Sequence, residues 1–361
     1  MSNLVHTRIH NRIGFITLDR PKALNSLSLA MIRSLTQTLL DWKSHPDVSA
    51  VFIYGSHERA FCAGGDIRFF YDVGTATPLG DSALLEDFFT EEYALNYLIH
   101  HFPKPYVSLL NGVIMGGGMG IAQASPQNRL RIVTERTKMA MPEVNIGLFP
   151  DVGGSYFLTR CNGQLGTYLG LSGDIITAAD AIYTDLADIY LPSAQIPALM
   201  ALLEHGDHTD VRSLIRDFAQ PFASQLPASQ LASQHESINQ HFSHATVAAI
   251  MTSLQQDASP FAAQTLKSMQ TRSPLLMCVT LEQLRRGKTL AVADCLRMER
   301  TMVRHCFKHG EVLEGIRALV VDKDGQPHWS PASLADVSDE SVQEFFAPVW
   351  PDYAHPLREL L

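Results

Sequence analysis

Two glycine-rich loops and the acidic segment after them constrain this chain most. The loops are Ala60-Phe-Cys-Ala-Gly-Gly-Asp66 and Met115-Gly-Gly-Gly-Met-Gly120; the segment is Met141-Pro-Glu-Val-Asn-Ile-Gly-Leu-Phe-Pro-Asp151. Glycine permits positive φ and lets backbone approach a ligand closely. Two such loops can present bare N–H groups to one oxygen, while a carboxylate acts on the carbon that bears it. That equipment suits an acyl thioester, whose carbonyl oxygen gathers charge in the transition state. A plain turn is the simpler reading of Gly64-Gly65 taken alone. The Gly116-Gly117-Gly118 run lacks the spacing of a dinucleotide fingerprint, and no acidic residue follows where a ribose ligand should stand.

Hydrophobic patterning around the loops is that of an α/β protein. Residues 3–20 partly alternate, with a turn expected at Asn11-Arg12, and read as a hairpin. Ser28 is placed to cap a helix with the apolar stripe Met31, Ile32, Leu35, Leu39 and Trp42. Ala50 to Tyr54 and Tyr106 to Ile114 are apolar runs of the buried-strand kind, each ending near a glycine loop. A long helix is expected from Leu84 to His101, broken by Lys104-Pro105. Short strands are expected at 130–134 and 137–140. Beyond about residue 155 the segments 163–171, 177–186, 196–204, 210–218, 228–243, 246–256, 260–270, 274–286 and 289–308 all read as helices.

The chain has 361 residues, 46% hydrophobic and 18% charged, which is a globular composition. Its formal net charge of -9 gives no basic footprint, so no nucleic-acid partner is expected. Cysteines 62, 161, 278, 295 and 306 are odd in number with no C-x-x-C pair, as in a reducing compartment. No apolar run reaches about 18 residues, so no membrane partner is expected. No signal peptide is read before the first strand, and the expected location is cytoplasmic.

The motifs stand in the order found in the crotonase (enoyl-CoA hydratase/isomerase) superfamily. They are Asp19-Arg-Pro-Lys-Ala-Leu-Asn25, Ala60 to Ile67, Lys104-Pro-Tyr-Val107, Asn111 to Gly118 and Met141-Pro-Glu143, and the chain resembles that superfamily through them. Further segments resemble the 3-hydroxyisobutyryl-CoA hydrolases within it. These are Phe89-Thr-Glu-Glu-Tyr93, Gly147 to Tyr156, Ser273-Pro274, Thr280 to Leu284, Met298-Glu299, Glu314 to Asp324 and Pro327-x-Trp329. Together they cover residues from about 10 to about 347. The resemblance implies a ββα spiral core over residues 1–195 carrying the acyl-CoA site, and a helical C-terminal region, 196–361, packed on it. It also implies an oxyanion hole from the N–H groups of Gly65 and Gly117. Ala63 to Ile67, including Asp66, would pass near the adenine and pantetheine, with Lys22 near the coenzyme A phosphates. The chain departs from the hydrolase pattern at Val312-Leu313, at Thr184 to Ile189 and near Ala124–Gln127.

Hydratases of the superfamily use one glutamate directly after the glycine loop and another after the Met/Gln-Pro pair. This chain has Met119-Gly120 in the first place and Glu143 in the second, so the hydratase pair is missing. The resemblance to the hydrolases implies hydrolysis of a short branched 3-hydroxyacyl-CoA, as in valine breakdown, and this is the expected activity. Glu143 is expected to serve as nucleophile or as base, with Asp151 and Glu92 holding the 3-hydroxyl or the water. Asp151 as a helix cap and Glu92 on a solvated face are the plainer alternatives. An enoyl-CoA hydratase/isomerase and a non-catalytic acyl-CoA-binding protein remain rivals. Coenzyme A enters only as part of the substrate, with no metal or redox cofactor implied. His305 and His309, one helical turn apart, read as surface residues, and Glu299 and Arg300 as an interface or surface ion pair. Cys62 reads as packed and unreactive, since no base stands beside it. No Gly-x-Ser-x-Gly elbow is present. A homo-oligomer is a further expectation carried by the superfamily.

Overall fold

The computed structural model describes residues 4–77, 82–205 and 210–361. The chain forms two compact units, each assembled from separated segments. The first takes Met1–Gly65, Leu95–Ala140 and Ile175–Ala232; the second takes Asp66–Ala94, Met141–Asp174 and Ser233–Leu361.

The first unit is built on nine strands in two sheets. They are β1 Val5–His10, β2 Ile13–Leu18, β3 Ala50–Gly55, β4 Ala60–Cys62, β5 Tyr106–Leu110, β6 Val113–Met115, β7 Arg129–Val133, β8 Lys138–Ala140 and β9 Ile189–Tyr190. β1 and β2 form the expected hairpin, and the turn residues Asn11 and Arg12 both take positive φ, as its tight connection demands. From β3 to β8 the strands come in pairs, and β9 follows alone in the larger sheet. The first of each pair joins a six-stranded sheet ordered β1-β2-β3-β5-β7-β9, and the second joins a three-stranded sheet ordered β4-β6-β8. Every pairing after the hairpin is parallel, so each turn of the chain adds one strand to each sheet. This is the α/β spiral that the motifs implied.

One expected strand is two. The apolar run from Tyr106 to Ile114 is interrupted at Asn111-Gly112, where Gly112 takes φ +86 and its absent Cβ leaves room for the carbonyl of Arg59. The chain thereby steps from one sheet to the other. Helix α1, Leu29–Lys43, starts at Ser28, whose side chain accepts from the Met31 N–H, and all five stripe residues are buried. The large sheet packs Phe15, Phe52, Val107, Leu130 and Ile132 against Leu199, Leu203, Val211 and Ile215 of helices Ile196–Glu204 and Val211–Ala219. Truncating one such residue to alanine costs about 2–5 kcal/mol, because the cavity collapses only partly. On β7, beside the edge strand β9, Arg131 is fully buried, and its guanidinium donates to Asp188 Oδ1 and Oδ2 at 2.9 and 3.0 Å and to the Asp185 carbonyl. The segment Thr184–Ile189, where the chain departs from the hydrolase pattern, is thus the partner of a buried arginine.

The second unit is helical. It contains α2, Ile67–Ala76, and the first part of α3, Ala83–His100. Its centre is helix Pro274–Gly287, which buries residues on all sides. Helix Val292–His309 carries a buried stripe through Cys295, Leu296, Glu299, Met302, Val303 and Cys306. Phe70, Phe88, Phe89 and Phe307 form an aromatic cluster with ring centroids 4.8 to 6.3 Å apart.

Candidate active site

The two glycine loops lie side by side within the first unit because their strands do. β4 and β6 run parallel, with Ala60 opposite Val113 and Cys62 opposite Ile114, so both chains emerge from the same end of the small sheet. Gly64 takes φ +101, and a Cβ there would meet Met115 O at 3.1 Å and Gly117 N at 3.6 Å. Gly118 lies so close to β4 that a Cβ would sit 2.2 Å from the Cys62 carbonyl oxygen. Neither place tolerates a side chain, which is why the glycines are there. Gly117 opens the short helix α4, Gly117–Gly120. The helix cannot satisfy its first N–H internally, so that donor is available at the loop. Ala63 is half-buried and its N–H is held by the Leu24 carbonyl; the Leu27 N–H is held by Gly64 O, and Gly65 bridges Leu27. Lys22 is exposed in the turn Pro21–Ala23. Cys62 is fully buried, and Gly120 is buried in α4 with no carboxylate to offer.

The second unit gathers the acids. Glu92 on α3, Glu143 opening the turn Glu143–Ile146, Asp151 in the next loop and Glu299 on helix Val292–His309 are only 2%, 6%, 5% and 0% exposed. Glu92 therefore does not lie on a solvated face, while its neighbour Glu91 is half-buried. Asp151 does not cap a helix with its side chain. Its carbonyl accepts from Gly154 N, and its carboxylate Oδ2 accepts a hydrogen bond from the Tyr93 hydroxyl at 2.8 Å. Glu92 Oε1 and Glu143 Oε2 are buried without a hydrogen-bond partner among the described residues. Such oxygens are costly to leave unpaired unless a proton, a water or a substrate meets them. Asp66 and Ile67 start α2, with the Asp66 side chain accepting from Phe69 N as its cap.

Burial and mutual charge dominate these groups. Burial pushes Asp151 up to about 6, against the pull of the Tyr93 hydrogen bond. Glu92 and Glu143 are raised well above the ordinary carboxylate value, by burial first and by the charge of Asp151 second. Tyr93 is raised as well, so its hydroxyl keeps its proton and remains a donor. A buried carboxylate poised nearer neutrality is the usual equipment of acid, base and nucleophilic chemistry.

Glu299 corrects the expectation of a surface or interface pair. It is fully buried, accepting from the N–H groups of Gly153 and Ser155 at 2.7 and 2.9 Å and from the Ser155 hydroxyl. Arg300 is also buried and turns to Thr90 Oγ1 and Glu86. Gln283 adds a second clamp, donating to the Pro150 carbonyl and to Ser155 Oγ at 2.6 and 2.8 Å. The Pro150–Ser155 loop is thus pinned from two helices, although Val152, a β-branched residue, takes φ +51. Burial pushes Glu299 up to about 8 despite its three donors. A value raised in the folded state means stability that is full below the unfolded value and is lost as pH rises through about 8. The melting temperature should fall between about pH 5 and about pH 8.5, and Glu299→Gln should flatten that fall while lowering stability by about 1–3 kcal/mol. An unchanged slope in thermal melts would remove Glu299 as its source.

Tyr93, Gln283 and Ser155 were not among the residues assigned a role from the sequence, and Glu299 was assigned a different one. Tyr93 fell within the helix expected from Leu84 to His101, and the partner of its hydroxyl is invisible to helical periodicity. His305 is half-buried, with Nε2 at hydrogen-bond distance from the Ala347 carbonyl. Among the described residues no cluster of His, Cys, Asp and Glu suited to a metal is found, and no helix is long and apolar enough to cross a membrane.

A family profile described as Enoyl-CoA hydratase/isomerase matches residues 13–346. The chain is 38% identical over 340 residues to the mitochondrial 3-hydroxyisobutyryl-CoA hydrolase of Gallus gallus, covering 93% of this chain and 86% of that protein. It is 37% identical to the mitochondrial 3-hydroxyisobutyryl-CoA hydrolase of Homo sapiens, covering 92% and 86%. Among solved structures, a carnitinyl-CoA dehydratase from Mycobacterium thermoresistibile superposes with a TM-score of 0.89 at 38% identity, covering 97% and 98% of the two chains. An enoyl-CoA hydratase from Rhodobacter sphaeroides gives a TM-score of 0.85 at 37% identity over 96% and 98%.

Proposed function

The chain belongs to the enoyl-CoA hydratase/isomerase family, and from that premise we propose that it hydrolyses the thioester of a short branched 3-hydroxyacyl-CoA, 3-hydroxyisobutyryl-CoA first among them. The observation that carries this is the make-up of the acids. Gly120 leaves the position after the glycine loop without a carboxylate, while Glu143, Asp151 and Glu92 are buried together. A hydratase needs the missing acid to handle water and the α-proton. A hydrolase needs a single nucleophile or base and an acceptor for the substrate hydroxyl.

The thioester oxygen takes the N–H groups of Gly65 and Gly117. Glu143 then acts on the carbonyl carbon by one of two routes. As nucleophile it forms the acyl–oxygen bond, coenzyme A thiolate leaves, and water cleaves the resulting anhydride. As base it takes the proton of the water that attacks the carbonyl carbon directly, and the thiolate leaves from that adduct. Asp151 accepts a hydrogen bond from the 3-hydroxyl, and Glu92 completes the pocket. Lys22 and Ala63 to Ile67 are assigned to the coenzyme A moiety. No metal or redox group has a task in either route, and the proposed compartment is the cytoplasm, although the vertebrate relatives are named as mitochondrial proteins.

The names of the two solved relatives favour dehydration or hydration as the second reading. One assay separates the readings. The pure protein is given 3-hydroxyisobutyryl-CoA and crotonyl-CoA, with a thiol reagent and enoyl absorbance recorded together. Thiol release from the first substrate alone is the expected result. Loss of enoyl absorbance without thiol release would replace hydrolase by hydratase, and tight binding with neither signal would make the protein a carrier.

Asp151→Asn should separate substrates. A hydrogen bond to a charged acceptor is worth roughly 1.5–3 kcal/mol. The loss in kcat/KM should therefore be about tenfold or more greater on 3-hydroxyisobutyryl-CoA than on isobutyryl-CoA, which lacks the hydroxyl. Equal losses on both, with a lower melting temperature, would leave Asp151 a structural residue and return the hydroxyl to Glu92.

A further inference from the structure

We propose that Tyr93 is a positioning residue that orients the Asp151 carboxylate and through it sets the preference for acyl groups bearing a 3-hydroxyl. This rests on the reading of Asp151 given above. The Asp151 backbone and side chain are held by different parts of the second unit. Gln283 and Glu299 hold the loop on either side of Asp151 through Pro150 O, Gly153 N and Ser155 N. Neither touches the carboxylate. That contact comes from Tyr93, 58 residues earlier in the chain, whose hydroxyl reaches Asp151 Oδ2 at 2.8 Å.

The donor is rigid. Tyr93 is fully buried, and its ring meets Phe89 nearly edge-on at 6.0 Å. Phe89 in turn packs on Phe70, Phe88 and Phe307. A ring so enclosed cannot follow a wandering carboxylate, so the hydroxyl imposes an orientation. With Oδ2 committed to Tyr93, Oδ1 is the oxygen that meets the substrate hydroxyl. Accuracy matters here, because a misaimed acceptor loses hydrogen-bond strength steeply with angle.

The burial of Asp151 makes this donor count. Burial, and in turn the charge of Asp151, raises Glu92 on α3, Glu143 on the turn after Pro142, and Glu299 and Cys306 on helix Val292–His309. Burial disfavours the charge on Asp151 itself, whereas the Tyr93 hydroxyl favours the ionised carboxylate that a hydroxyl-accepting role requires.

Tyr93→Phe tests this with one atom, since the ring and its packing remain. Four rates are compared by thiol release: wild type, Tyr93→Phe, Asp151→Asn and the double variant, each on 3-hydroxyisobutyryl-CoA and on isobutyryl-CoA. In Tyr93→Phe, kcat/KM should fall about tenfold or more on the hydroxylated substrate and less than about threefold on the other. The acid limb of its pH profile should move to higher pH, because a contact that lowered the Asp151 value is gone. The double variant should be no worse than Asp151→Asn, because Tyr93 acts through Asp151. Equal losses on both substrates with an unmoved pH profile, or losses that multiply in the double variant, would overturn the proposal and leave Tyr93 a packing residue. If Asp151→Asn alone fails to separate the substrates, the Asp151 reading falls and this inference with it. If it separates them and Tyr93→Phe does not, only the inference falls.

Discussion

Glu143→Gln should abolish thioester hydrolysis while coenzyme A affinity stays close to that of the wild type. The side chain keeps its shape and loses its charge and basicity, so neither the nucleophilic nor the basic route survives. Loss of such a group costs at least about 10²–10⁴ in rate. Affinity should hold because the coenzyme A contacts are assigned to Lys22 and the Ala63–Ile67 segment. Amide at this position also suits the fold: Glu143 is buried with Oε2 unpaired and its carboxyl raised well above the ordinary value, so a neutral replacement removes a strained charge. Stability should be equal to or above wild type in thermal melts. A variant that keeps more than about a tenth of wild-type kcat would take Glu143 out of the mechanism. Mass spectrometry of the quenched wild-type protein then distinguishes the routes, since only the nucleophilic one leaves the acyl group on Glu143.

Gly117→Pro should lower kcat about 10²–10³-fold with little change in KM, the effect of losing one oxyanion donor. Proline suits the test because Gly117 is the first residue of α4. There the fixed φ fits a helix and the missing N–H breaks no helical hydrogen bond. What is lost is the donor pointed out of the helix. Gly118→Ala is the matched control for damage, since its Cβ would meet the Cys62 carbonyl at 2.2 Å and displace β4. Circular dichroism should show Gly117→Pro folded. A folded Gly117→Pro with normal turnover would remove the N–H from the oxyanion role.

Where hydrophobic periodicity is strong, the chain announced its elements. The stripe of α1, its cap Ser28 and the hairpin turn at Asn11-Arg12 were all legible, because each rests on contacts within a few residues. Helices such as Ile196–Glu204 and Pro274–Gly287 were legible for the same reason. The break at Asn111-Gly112 was not, because an apolar strand continuing and an apolar strand changing sheets look alike until Gly112 must clear the Arg59 carbonyl.

The candidate site divides along the same line. Gly64, Gly65, Gly117, Glu143 and Asp151 stand out because glycines and acids in apolar surroundings are conspicuous. Glu92 and Glu299 carried a signal that composition hides. Each occupies a core position of its helix, Glu92 in step with Phe88, Leu95 and Ile99, and Glu299 in step with Cys295, Leu296, Met302 and Cys306. A charge on an apolar stripe must find donors, a proton or a ligand. Sequence by itself therefore determined the α/β class and the order of the glycine loops, and it marked Glu143, Asp151 and Glu92 as candidates while placing Glu299 on the surface. Only the tertiary structure decided their partners: Tyr93 on Asp151, and Gly153 and Ser155 on Glu299, joined across 58 to 146 residues. Hydrogen bonds between elements so far apart depend on how helices pack, and no periodicity along a single segment carries that information.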